Sequence, residues 1–307
     1  MAENFLTISQ QVLILFLMIL CGFVCGKKGF INESGVKSCS NIVLYIATPS
    51  VIIASFIREF SMDLLGGLLL SILISALIHI GTILIVHLVL RNDDDNALRV
   101  RRFAVVFSNA GYMALPLQAA VLGDMGVFFG ASYVAMFNIF AWTYGVWCMS
   151  DEKRAFSVKK LFNPGVISVV IGIIIFVFSI PVPPILSSTL SSLASLNTPV
   201  PMLIIGYFLS KCELKSLFKN KRIYPVISLR LIAVPVIALI LMYICGVRGT
   251  MLTSMMIAAS APTAALTTMF SVLYGADSEL SVNLVSVTTI ISIITMPTIV
   301  AIAQLLA

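Results

Sequence analysis

Two apolar stretches hold the residues best suited to chemistry. The first is Ser108-Asn109-Ala110-Gly111-Tyr112-Met113-Ala114-Leu115-Pro116-Leu117-Gln118, and the second is Ala258-Ala259-Ser260-Ala261-Pro262-Thr263-Ala264-Ala265-Leu266-Thr267-Thr268. Each sets amides or hydroxyls beside a proline inside an otherwise greasy run. A proline within a helix removes a hydrogen bond and clashes with the preceding turn, at a cost of about 3 kcal/mol. In a bilayer such breaks survive only where they pack in protein or line a cavity. A break also exposes a helix N-terminus, whose free N–H groups and partial positive charge bind an anion without a buried lysine. The chemistry expected is therefore anion recognition at breaks placed at Pro116 and Pro262. Asn109, Tyr112, Gln118, Ser260 and Thr263 are the nearby polar candidates. Matched interruptions in two halves of a chain point to the substrate site of a secondary transporter.

Other polar residues read two ways. Asn138, and Asn283 with Ser286 and Thr289, are either ligands or interhelical hydrogen bonds worth roughly 1 kcal/mol each. Arg230 is the only charge deep within an apolar run. A charge at that depth is functional by default, and the structural alternatives are that it snorkels toward the nearby Arg222 end of its helix or bonds a carbonyl freed by a broken helix. No carboxylate maps to the middle of an apolar run, and Asp124, just after the first interruption, is the one acid placed to matter. His79 and His87 share one run and read as polar packing. The six cysteines show no zinc spacing. With no nucleophile–base pair, phosphate loop or metal cluster, the reading is of a protein that is not an enzyme and needs no cofactor or metal.

The elements that must hold these residues follow from composition. Of 307 residues, 60% are hydrophobic and 10% charged, against about 25% charged in soluble domains. Apolar runs long enough to cross a bilayer, roughly 17–25 residues, lie near 6–26, 38–57, 64–90, 103–122, 126–149, 163–180, 190–210, 223–246, 250–273 and 280–306. This predicts an all-α integral membrane protein of ten spans. With the N-terminus outside, the basic residues of 27–37, 91–102, 153–160 and 211–222 fall on the cytoplasmic side, and only Arg58 and Arg248 fall outside. The positive-inside rule thus places both termini outside and the 150–162 loop in the cytoplasm. The net charge of +6 reports topology and implies no nucleic acid. Lys27 and Lys28 follow the first apolar run, the reverse of a signal peptide's charge order.

The basic stretch 151–162 divides the chain into 1–150 and 163–307, five spans each, so the second half enters the membrane inverted. Internal echoes support an inverted repeat. Ala47-Thr48-Pro49 in the second span answers Asn197-Thr198-Pro199 in the seventh, and the two interrupted spans, four and nine, occupy corresponding places.

These segments resemble the auxin efflux carrier family, which includes the plant PIN-formed exporters and bacterial permeases, some assigned to malonate. Asn109-Ala110-Gly111-Tyr112-Met113-Ala114-Leu115-Pro116-Leu117 is similar to the family's Asn-x-x-x-x-Gly-x-Pro-Leu run, with Ala114 where the family often has Gly. Leu161-Phe162-Asn163-Pro164 resembles the opening of its second half, and Thr288 to Pro297 its last span. The resemblance implies ten helices in a five-plus-five inverted repeat, with spans four and nine crossing at their prolines. It implies spans one, two, six and seven as a scaffold and the rest as a moving transport domain. It further implies an organic-anion substrate, an elevator-like shift and a homodimer in the bacterial inner membrane. Carried over, Asn109, the Pro116 and Pro262 breaks and Asn138 contact substrate. The function expected is export of a small organic carboxylate. A sodium- or proton-coupled importer and a membrane ligand sensor are the alternatives.

Overall fold

The computed structural model describes residues 2–91, 95–150, 163–211 and 220–306; the basic linker 151–162 lies outside the described residues. The chain is helical, with no β-strand among the described residues. Among the described residues, six helices are long and apolar enough to cross a membrane: Glu33–Phe56, Met62–Val89, Ala110–Met149, Pro184–Lys211, Ile223–Ile244 and Ser278–Leu306. Leu13–Lys27 and Pro164–Val177 are shorter apolar helices.

The helices are turned inside out relative to a soluble bundle. On Met62–Val89, Leu69, Leu73, Leu77, Ile80, Leu84 and Leu88 are exposed, while Ser71, Ser75, His79 and Thr82 are buried. Both sets recur at helical spacing, so one apolar stripe faces outward and a polar stripe faces neighbouring helices. Lipid tails are as apolar as leucine, so helix association relies on close packing and interhelical hydrogen bonds. The buried hydroxyls satisfy themselves within the helix, Ser75 Oγ donating to Ser71 O at 2.7 Å and Thr82 Oγ1 to Ile78 O at 2.7 Å.

Small residues set the closest approaches. Ala2–Lys27 packs along Pro199–Lys211. A Cβ at Gly22 would meet the backbone of Leu203, and one at Gly206 would meet Ile19 O and Phe23 N. Thr48–Phe56 packs on Pro164–Val177, where Gly172 faces the Phe56 ring. The two Thr-Pro segments also meet directly: Thr48 Oγ1 donates to Asn197 Oδ1 at 2.8 Å in a buried contact.

Three prolines, Pro116 with its expected break among them, sit in helices that run on. Pro49, Pro116 and Pro235 each follow a five-residue π-helix, Val43–Ala47, Ala110–Ala114 and Leu229–Ala233. In each case the residue before the proline reaches back five positions, Leu115 N–H to Ala110 O for example. The wide turn makes room for the ring, and the helix continues. The break expected at Pro116 is thus corrected: Pro116 is buried near the start of Leu115–Phe140, and the chain is broken earlier, between Asp95–Val106 and Ala110–Ala114. The second break is where proline chemistry places it. Gly249–Ser260 ends before Ala261, which is extended (φ −61°, ψ 148°) as a residue preceding proline prefers, and helix resumes at Leu266–Tyr274.

The half-helix Asp95–Val106 was hidden by its charges, Arg99, Arg101 and Arg102. Arg102 places Nε and Nη2 on Leu90 O, at 3.2 and 2.8 Å, capping the end of Met62–Val89. A second feature without a strong sequence signal is Gly123, whose left-handed backbone (φ 61°, ψ −154°) bends the long helical stretch that contains it.

Candidate functional site at the helix crossing

The two breaks cross. Asn109 N–H donates to Pro262 O at 2.7 Å, and Ala264 N–H donates to Phe107 O at 2.9 Å. Ser108 and Thr263 form the isolated antiparallel bridge between them. Each break thus satisfies one backbone N–H and one carbonyl of the other, part of what a dry interior demands.

Further bonds lock the crossing. Thr263 Oγ1 donates to Ala104 O at 3.0 Å, and Thr263 N–H donates to Thr288 Oγ1 at 3.2 Å on the last helix. Ser108 Oγ lies 3.5 Å from the Tyr133 hydroxyl. Tyr133 and His79 rings stand 5.0 Å apart, and His79 stacks on Phe140 at 5.2 Å. His79 Nδ1 is bonded to Ser75 O at 2.7 Å, while its Nε2 has no partner.

Four helix ends converge here. Asp95–Val106 and Gly249–Ser260 arrive by their C-termini, and the helices opening at Ala110 and Leu266 leave by their N-termini. Arg230 takes the first pair of ends. Its Nη1 donates to Val105 O at 2.9 Å and its Nη2 donates to Ala259 O. The residue is fully buried, so the snorkelling alternative is set aside and the broken-helix bond is the one observed, twice over. Tyr133 lies beside the guanidinium. The remaining pair of N-termini offers backbone N–H groups and the positive ends of two dipoles, which together suit a carboxylate.

The residues singled out in the sequence do not all gather here. Asn109, Pro262 and Thr263 meet at the crossing. Asn109 opens the Ala110 helix (φ −75°, ψ 57°) with an almost buried side chain that makes no capping bond. Ser260 is buried beside them, its hydroxyl bonded back to Met256 O at 2.6 Å. Tyr112, on the π turn, packs against Val36, Val43, Ile204 and Tyr207, so it faces the Glu33–Phe56 and Pro199–Lys211 helices.

The others lie apart. Gln118 is buried in the space left by Gly130 and donates to Ser254 O at 2.8 Å, a tie between helices. Asn138 bonds Val134 O of its own helix at 2.8 Å and sits beside Gly165. Asn283 is partly buried on the last helix, in the turns before Thr288. Asp124 is exposed at the Gly123 bend, where it acts electrostatically on Arg58, whose guanidinium lies 4.8 Å from the Phe128 ring centroid. Among the described residues, no group of histidine, cysteine and carboxylate side chains could hold a metal.

Arg230 was visible in the sequence as a lone deep charge, though its partners were not. Tyr133 and Ser254 carried no signal, and Thr288 stood out only as the start of the family-like last segment, because the role of each depends on which helices become neighbours.

A family described as membrane transport protein matches residues 7–300. An uncharacterized transporter of Methanothermobacter thermautotrophicus is 22% identical over 302 residues, 95% of this chain and 97% of the relative. An uncharacterized transporter of Methanocaldococcus jannaschii is 23% identical over 297 residues, 92% of this chain and 94% of the relative.

Proposed function

We propose, from the premise that this chain belongs to the membrane transport protein family, the auxin efflux carrier-like family that its sequence resembles, that it is a secondary carrier of small organic anions. The observation that carries the reading is the reciprocal pair of backbone bonds, Asn109 N–H to Pro262 O and Ala264 N–H to Phe107 O. They hold two helix N-termini at one buried place, where an anion gains from both dipoles without a mobile counter-charge.

The architecture proposed is a ten-span, five-plus-five inverted repeat. It counts each crossing pair of half-helices as one span and Gly123 as the turn between two spans. Related contacts support it. The Ala2–Lys27 helix packs on Pro199–Lys211, and Thr48–Phe56 packs on Pro164–Val177, the contact that a pseudo-twofold relating spans one and two to six and seven would generate. The Thr48–Asn197 bond and the Ser108–Thr263 bridge join corresponding positions of the two halves.

In this reading the first, second, sixth and seventh spans stay fixed while the crossing and its partners shift across the membrane. Tyr112 rides at the boundary. Asn109 would orient a carboxylate, and Asn138, on the fifth span beside Gly165 at the start of the sixth, would meet substrate on one side of the shift. Efflux is the proposed direction, with both termini outside, the 151–162 linker cytoplasmic, and a homodimer in the inner membrane. A sodium- or proton-coupled importer and a ligand sensor are the competing readings.

The test is flux of labelled malonate and other small carboxylates into proteoliposomes with an imposed membrane potential. Saturable, voltage-following flux supports the carrier. Binding without flux under any gradient moves the reading to a sensor.

A further inference from the structure

We propose that the Arg230 guanidinium is a tethered cation filling the place, between the C-terminal ends of the two half-helices, that a monovalent metal ion would otherwise take, so that transport needs no sodium. The proposal rests on the carrier reading above and adds its mode of charge balance.

The C-terminal end of a helix carries unsatisfied carbonyls and about half a negative charge. Two such ends meet at this crossing. In carriers built on discontinuous helices, half-helix C-termini and unwound carbonyls are what coordinate a coupling sodium. Here those oxygens are already engaged by one side chain. Nη1 of Arg230 donates to Val105 O of Asp95–Val106, and Nη2 donates to Ala259 O of Gly249–Ser260. The planar fork of a guanidinium bridges two acceptors in a way that a compact ammonium does not, and it stays charged at any working pH.

The charge is not spent on a carboxylate. Arg230 is fully buried, and among the described residues no acid pairs with it; Tyr133 and the two carbonyls are its polar surroundings. Its Nε has no hydrogen-bond partner. A full positive charge in an apolar interior is costly unless it is compensated. The two dipole ends compensate it in part, and a bound anion at the neighbouring N-termini would complete the balance. One fixed residue thus does what a bound coupling ion does elsewhere: it neutralises the negative helix ends and leaves the crossing attractive to an anion.

The test uses the full chain in proteoliposomes, with labelled malonate as probe, a fixed membrane potential, and sodium replaced by choline at constant pH and ionic strength. Wild-type flux is expected to be unchanged by the replacement. Arg230→Gln is expected to lose at least about fivefold in flux. In detergent its Tm should rise with sodium chloride, saturably and by about 2 °C or more, but not with choline chloride, as sodium occupies the vacated oxygens. Wild-type Tm should respond equally to both salts. Arg230→Lys, which keeps the charge, should remain sodium-independent and covers the case in which the glutamine variant does not fold. Wild-type or Arg230→Lys flux that requires sodium overturns the proposal and leaves the carrier reading intact. Wild-type flux absent under every gradient overturns the carrier reading instead. The Tm comparison then stands alone, and an Arg230→Gln variant indifferent to sodium, or a wild type stabilised by it specifically, overturns the tethered cation.

Discussion

The amide of Asn109 and the carbonyl of Pro262 are 2.7 Å apart, and the bond between them joins two helices that each stop in the middle of the protein. Its partner bond, Ala264 N–H to Phe107 O, runs the other way. The pair behaves as two rungs of a sheet inserted into a helical protein. It fixes the distance between two helix N-termini and gives the crossing a backbone geometry that side-chain substitutions leave standing.

Asn109→Ala should therefore keep the fold and lose function. The backbone rung remains, while the amide placed at the opening of the Ala110 helix is gone. Malonate flux in proteoliposomes is expected to fall about tenfold, the scale of one or two lost hydrogen bonds to a charged group, with size-exclusion behaviour unchanged. Full flux would remove Asn109 from the site. Pro116→Ala, a turn and more away and buried inside a helix, should cost less than Asn109→Ala. A larger loss would return the site to the proline.

Thr263→Val tests the lock on the crossing. The substitution keeps the shape and removes the donor to Ala104 O. A helix-end carbonyl is left unpaired in a dry interior, at a cost of about 1–3 kcal/mol. Thermal unfolding in detergent should show a lowered Tm, with Thr263→Ser close to wild type. Equal Tm values for Val and Ser would mean that the hydroxyl contributes nothing.

The Thr48–Asn197 bond, 2.8 Å and buried, should appear as a coupling energy. In a double-mutant cycle of Thr48→Val and Asn197→Leu, the two changes together should cost less than the sum of each alone, by about 0.5–1.5 kcal/mol. Strict additivity would show that the two segments are merely neighbours.

Gly206→Leu and Gly66→Ala make a contrasting pair. A side chain at Gly206 runs into the backbone of Ile19 and Phe23, whereas a Cβ at Gly66 meets nothing within 4 Å. Backbone cannot yield as a flexible side chain can, so Gly206→Leu should abolish the monodisperse folded peak in fluorescence-detected size exclusion. Gly66→Ala should be neutral or stabilise by up to about 1 kcal/mol. Tolerance of leucine at Gly206 would show that the two helices can separate freely.

Much of this protein was legible before any coordinates. Mean apolarity and run length declared membrane helices, because a bilayer demands uninterrupted greasy segments. The small, polar-speckled stretches 108–118 and 258–268 declared two breaks, because such residues are poor lipid-facing helix, although the first was expected at Pro116 and lies at 107–109. Arg230 declared itself by its cost. Where sequence reasoning misplaced an element, a specific backbone device was responsible. The π turn at Ala110–Ala114 carries Pro116 without a break, and the half-helix Asp95–Val106 carries arginines that looked like loop. Gly123 bends a helix at a place where hydropathy shows only a gap.

The sequence by itself determined that the chain lives in a membrane, that it is interrupted twice, and that one arginine must be buried or expelled. These are local properties, set by composition, period and transfer cost, and each residue carries its own share. Tertiary structure alone decided which carbonyls meet which donors. That Asn109 faces Pro262, that Arg230 spans Val105 and Ala259, and that Gln118 is drawn away to Ser254 depends on the crossing of helices remote in sequence. A hydrogen bond is directional and short, so a register shift of a single residue would assign every one of these partners differently.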